Sequence, residues 1–164
     1  VSAGGRKVRA WAKAFGDLDG ALSAISGSLA EETVNLIKDG FRHETDPYGD
    51  RWTPKQAADG RKTLSGPTSR LKTGWHVRVQ GASGFIVSPS VEYAAPHQNP
   101  KPGPGGKLKR PRRMMVPTAE KGIPPTWSRA YAEIVNEHLG ALGVPESARA
   151  IAVRRIKLTV GGGS

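Results

Sequence analysis

The sequence predicts an α+β fold: a small curved antiparallel sheet packed against a long N-terminal helix and a second amphipathic helix, with a long Pro/Gly-rich loop. Three observations predict it. Leu18, Leu22, Ile25, Leu29, Leu36, Ile37 and Phe41 recur mostly at steps of three, four or seven, the spacing that lines one face of a helix. Trp127, Tyr131, Ile134, Val135, Leu139 and Leu142 form a second stripe of the same kind. Between the two, WHVRVQ and FIVS alternate as strands around a GASG turn, so residues 75–88 read as a hairpin with a loop of about four residues. Two stripes and one hairpin bury their faces only against each other.

Taken in order, GRKVRAWAKAF reads as a short basic amphipathic helix, with Arg6, Lys7, Arg9 and Lys13 around Val8, Trp11 and Phe15. The long helix is predicted from about Asp17 to His43. Gly20, Gly27 and Gly40 weaken it by up to about 1 kcal/mol each relative to alanine, which places a bend or break near Gly27. The helix must stop before Pro47, because a proline pushes its predecessor out of the helical region and donates no hydrogen bond. DPYG is then a reverse turn: Pro47 fixes φ, Gly49 allows a positive φ, Asp46 bonds its own downstream backbone, and Trp52 returns as an apolar anchor. Residues 55–69 read as loop or a frayed helical turn. After the hairpin, VEYAAPHQ leads into NPKPGPGGKLKRPRR, where prolines and glycines predict a solvated, mobile loop without regular structure. MMVP reads as a short strand that rejoins the sheet. Thr126 is the expected cap of the last helix, with Glu133 and Glu137 outside and Gly143 and Pro145 ending it. The organisation is a basic arm over 1–16, an α+β domain over 17–144 and a tail over 145–164, whose conformation stays open.

At 164 residues the chain has the size of one domain, where folding buries roughly 70% of the surface exposed by the unfolded chain. The net charge of +11 implies attraction to polyanions, of which nucleic acid and an acidic protein surface are the obvious kinds. The absence of cysteine excludes disulfides, thiolate metal sites and thiol nucleophiles. No apolar run approaches the roughly 20 residues that cross a bilayer, and the opening residues lack the apolar block of a signal peptide. The expectation is a soluble protein made inside the cell, without a membrane partner. The closing GGGS is assigned no role.

Asp46 and Asp50, beside His43 and Glu44, raise the question of a metal loop. Their spacing does not match a calcium loop, and HETD is not a two-histidine zinc helix, so the structural turn is the favoured reading. His43, His76, His97 and His138 accompany no nucleophile-elbow pattern, and no carboxylate pair is marked among the 14 acidic residues. No catalytic residue, metal or cofactor is therefore expected. The basic loop carries more: Lys101, Lys107, Lys109, Arg110, Arg112 and Arg113 stand together without one acid. Such clustering suits phosphate contact without base reading, and it equally suits a loop whose charge only keeps the protein soluble. Arg113 has a second reading, in which its Pro-x-Arg context ties the loop to the core.

The order of elements resembles one family. A long helix ending in FRHETDPYGDRW, LKTGW before a hairpin, EYAAPHQ after it, PRRMMVP and a last amphipathic helix together look like the phage virion morphogenesis family, the tail-completion proteins of Mu-like and related tailed phages. The resemblance runs from about Leu18 to Leu142. It rests on Phe41, Pro47, Gly49 and Trp52, then Leu71, Thr73 and Gly74, then Tyr93, Ala94, His97 and Gln98, then Pro111 and Arg113. Two positions depart from the family's pattern: Lys55 follows Pro54 where a leucine is usual, and Asn99 follows the His-Gln pair where a glycine is usual. The resemblance implies a non-enzymatic virion protein at the head-tail junction, assembled in the bacterial cytoplasm. It further implies a homo-oligomeric ring, with a hexamer among the counts it suggests, that closes the tail and meets the connector or adaptor and tail tube proteins while genomic DNA passes through the lumen. The basic loop would then face DNA or an acidic neighbour. A free, non-sequence-specific nucleic-acid-binding protein is the alternative, and a small hydrolase the third reading.

Overall fold

The computed structural model describes the backbone of residues 3–56, 59–66, 68–108, 110–146 and 149–150, with side chains described from Leu18 onward. The side chains of the basic arm, Lys109 and most of the tail lie outside the described residues.

Helix α1 runs without interruption over Ala3–His43. The basic segment and the predicted long helix are thus one element, and the break expected near Gly27 is absent. Its roughly 1 kcal/mol penalty is outweighed by burial on either side, where Ile25, Ser26, Leu29 and Ala30 all leave solvent. The helix ends in a Schellman turn. Glu44 takes a left-handed conformation (φ 57°) and the Thr45 amide donates to the Gly40 carbonyl at 3.0 Å.

Helix α4, Pro125–Ala141, lies antiparallel to α1: Thr33 meets Tyr131, and Ser28 meets His138. It starts two residues earlier than a Thr126 cap requires, because Pro125 presets the first helical φ and needs no partner for a missing N–H. It ends as the sequence predicts, with Gly143 at φ 74° and the Val144 amide on the Leu139 carbonyl. Trp127, Tyr131, Val135 and Leu139 are buried against Ile25, Leu29, Ile37 and Phe41, while Glu133 and Glu137 stay in water. Thr33 Oγ1 and Tyr131 Oη share a 2.7 Å hydrogen bond inside this seam, and burial pushes the tyrosine pKa up to about 12.

The sheet has two antiparallel strands, β1 (Trp75–Val79) and β2 (Phe85–Pro89), paired from Trp75 opposite Pro89 to Val79 opposite Phe85. A five-residue connection joins them, closed by the Gln80 amide on the Gly84 carbonyl. The hairpin packs on α1, and Trp75, Phe85 and Val87 reach the core shared by both helices. A short helix α2, Arg70–Thr73, leads in; a single turn over Glu92–Ala94 and a short helix α3, Ala95–Gln98, lead out. MMVP does not join the sheet. Met114 and Met115 are buried, but the Met115 and Val116 amides are taken by the Gln98 side chain, which removes the need for a strand partner.

Candidate functional site

The DPYG segment is a turn built by Asp46. Its Oδ1 accepts the Tyr48 and Asp50 amides at 2.8 and 3.0 Å, and its carbonyl accepts the Gly49 amide at 3.1 Å. Gly49 stands at φ 95°, where a side chain would be strained. Pro47 is buried beside it. With Asp46 buried and its oxygen spent on backbone, the pair of aspartates that invited a metal reading works as a fold-back of the chain. The turn delivers Trp52 against Phe41, edge to face with ring centroids 5.1 Å apart, and the indole N–H donates to the Met114 carbonyl at 2.9 Å. Tyr48 is a second anchor, whose hydrogen-bond partners sequence reasoning missed. Its hydroxyl donates to the Gly122 carbonyl and accepts the Thr118 amide, partners about 70 residues away that no local pattern reveals.

Gly74 is fixed by close approach. A Cβ there would stand 2.0 Å from Ser90 Oγ and 2.7 Å from the Arg70 carbonyl, so only glycine lets α2 run into β1 beside Ser90. Ala94 is fully buried, whereas Tyr93 is largely exposed. His97 and Gln98 form half of a clamp. The Arg113 amide donates to the His97 carbonyl at 2.9 Å, Arg112 Nε donates to the Gln98 carbonyl at 3.2 Å, and the Gln98 carboxamide pairs with Met115 and Val116. His97 Nδ1 is buried without a partner among the described residues; desolvation, then Arg113 and Arg110, hold this imidazole toward its neutral form.

Above the clamp stands the basic loop. It is more ordered than the sequence predicts: Pro102 bridges Leu108, and the Gly103 amide donates to the Lys107 carbonyl, making a miniature hairpin with a turn over Pro104–Gly106. Lys101, Lys107, Arg110 and Arg112 are exposed and enter no ion pair among the described residues. Arg113 does not belong with them. It is 7% exposed, with Nε on the Thr53 carbonyl at 2.8 Å and Nη2 on the Pro54 carbonyl at 3.1 Å. Its placement on a DNA-facing surface is corrected: two carbonyls supplied by a distant segment outcompete water for a fork of donors.

On the other side of that segment is an open depression of about 570 Å³, lined by Arg42, His43, Glu44, Arg51, Trp52, Pro54, Lys55 and residues 60–63. The 60–63 stretch is clipped in place by the Thr63 amide on Glu44 Oε1 (2.5 Å) and by Lys62 Nζ on the Arg42 carbonyl (2.6 Å). No family model, curated protein or solved structure matches this chain.

Proposed function

We propose that the chain is a structural subunit of a homo-oligomeric ring at the head-tail junction of a tailed phage, of the tail-completion kind, with DNA passing through the ring. The observation that carries this reading is how the resembling positions are used. Phe41, Trp52, Gly74, Ala94, His97, Gln98 and Arg113 hold one segment against another through ring contact, close approach, burial or hydrogen bonds, Pro47 and Gly49 shape the turn that delivers Trp52, and Tyr93 stands exposed. A set of residues spent on framework suits a part whose task is shape and contact rather than chemistry.

Lys101, Lys107, Arg110 and Arg112 stand on a surface loop whose base is locked by the His97–Arg113 clamp. They contribute charge without an aromatic platform or a recognition helix, which suits weak phosphate contact that lets DNA slide. Connector or adaptor proteins and tail tube subunits are the protein partners this role requires. A free basic nucleic-acid-binding protein is the second reading, favoured by the same four uncompensated charges.

Size-exclusion chromatography with light scattering separates the two: a closed oligomer, alone or on addition of tail tube protein, is expected, and a monomer under both conditions overturns the ring. Binding of mixed-sequence duplex should show log affinity falling linearly in log salt, by about 0.9 per phosphate contacted. Lys101→Ala, Lys107→Ala and Arg110→Ala together should make that slope shallower. An unchanged slope removes the loop from DNA contact.

A further inference from the structure

We infer that the depression between the end of α1 and residues 51–55 and 60–63 is a second phosphate-binding site, which extends the basic loop into a two-part footprint on the backbone of a nucleic acid. This inference rests on the reading of the loop as a phosphate-contacting element, and it names a surface that charge counting along the sequence passes over.

Most of the cations at this depression are already spoken for. Arg42 pairs with Asp39 at 3.0 Å, Lys55 pairs with Asp59, and Lys62 donates to the Arg42 carbonyl. Glu44 binds the Thr63 amide and lies within the field of Lys62 and Arg51, which together hold its carboxyl below the usual range. The guanidinium groups of Arg51 and Arg61 remain. Both residues are exposed, both line the depression, and neither side chain makes a hydrogen bond or ion pair among the described residues. Two free planar forks at the rim of one hollow are suited to phosphate oxygens, which accept two parallel N–H bonds from a guanidinium. The negative end of α1 would oppose an anion here. It is covered in part: Lys62 occupies the Arg42 carbonyl and the Thr45 amide occupies that of Gly40.

The depression and the loop are two sides of one short segment. Trp52 and Pro54 line the hollow, while the Trp52 indole holds Met114 and the Thr53 and Pro54 carbonyls hold Arg113. Arg51 precedes Thr53 by two residues, a span of at most about 7 Å along the chain, and Arg112 adjoins Arg113. The backbone that carries Arg51 and the base of the loop are therefore joined by fixed contacts, and a polymer with a phosphate at every step of its backbone is the kind of ligand that spans two such surfaces. An isolated small anion would engage only one.

The test uses the full chain and a mixed-sequence duplex, with affinity followed over a range of salt. Arg51→Ala with Arg61→Ala should make the log–log slope shallower by about 1.8, two contacts at about 0.9 each, while Arg129→Ala on the outer face of α4 leaves it unchanged. Arg51→Gln with Arg61→Gln, which preserves side-chain bulk, should give the same shift, so a folding defect in the alanine pair does not decide the matter. If the loop triple variant lowers the slope and neither arginine pair does, the depression is not a phosphate site and the loop reading stands. If the arginine pairs lower it and the loop triple does not, the depression binds phosphate on its own and the two-part footprint is overturned. Binding of polyglutamate but not of duplex by the unaltered chain would overturn the nucleic-acid assignment of both surfaces.

Discussion

Arg113→Met is expected to destabilise the protein by about 3 kcal/mol and to leave the salt dependence of duplex binding unchanged. The side chain makes two hydrogen bonds to backbone carbonyls, at 2.8 and 3.1 Å, from a position only 7% exposed. Hydrogen bonds involving a charged group contribute about 1.5 to 3 kcal/mol each, and removing the donor also strands the Thr53 and Pro54 carbonyls. Methionine retains most of the buried stem, so the cavity contribution is small and the loss reports the fork. Arg113→Lys keeps the charge but not the paired donors, and should recover less than half of the stability. Urea unfolding at neutral pH measures the difference through the midpoint at constant m-value. A loss below about 0.5 kcal/mol, the range of ordinary surface substitutions, would show that the clamp does not hold the loop. A slope reduced by about 0.9 with stability intact would refute the reasoning from the opposite side, returning Arg113 to the phosphate surface.

Trp52→Ala should cost about 3 to 5 kcal/mol, since it removes a buried ring that meets Phe41 and Met114, whereas Asp50→Ala at an exposed position should stay within about 0.5 kcal/mol; equal effects in thermal or denaturant unfolding would contradict the turn-and-anchor account. Gly74→Ala should cost about 1 to 3 kcal/mol, and Ser90→Gly should not restore it, because the Arg70 carbonyl still stands 2.7 Å from the new Cβ; full rescue by the second change would place the conflict at Ser90 alone. Glu44 has its folded-state pKa lowered, first by the Thr63 amide, so its contribution is present above the ordinary glutamate range and is lost as pH falls through that range and below it. Glu44→Gln should accordingly lower stability near neutral pH and flatten the acid limb of a midpoint-against-pH curve, and parallel curves for the two proteins would show that the Glu44 charge does not hold the 60–63 stretch.

What was legible in the sequence was local. DPYG is readable because Asp46, Pro47 and Gly49 make their turn among themselves, and the hairpin because its alternation and glycine-bounded turn are contiguous. The helical stripe was read correctly in kind but not in extent. Ile25 and Leu29 are buried, while Leu18 and Leu22 on the same stripe are 44% and 37% exposed. The reason is length: α1 has 41 residues and α4 has 17, spans of about 61 and 25 Å at 1.5 Å per residue, so α4 covers only part of the face. MMVP failed as a strand for a different reason. A side chain, Gln98, supplies the hydrogen bonds that a neighbouring strand would have supplied, and one glutamine leaves no period to detect.

Charge was the least legible property, because the fate of a cation depends on which carbonyls and carboxylates the fold brings to it. Arg112 and Arg113 are neighbours in one basic run, yet one is exposed and the other is held in the framework by Thr53 and Pro54, about 60 residues away. The reverse error concealed Arg51 and Arg61. Each stands near an aspartate in the sequence, Arg51 beside Asp50 and Arg61 near Asp59, so the stretch reads as balanced, but Asp59 pairs with Lys55 and Asp50 makes no ion pair with Arg51 among the described residues. An acid already committed to the fold neutralises less of its surroundings than a tally of letters assumes. The surface available to a polyanion is therefore set by which cations the fold leaves unspent, and by that measure the rim formed by Arg51 and Arg61 stands beside the loop that the sequence made conspicuous.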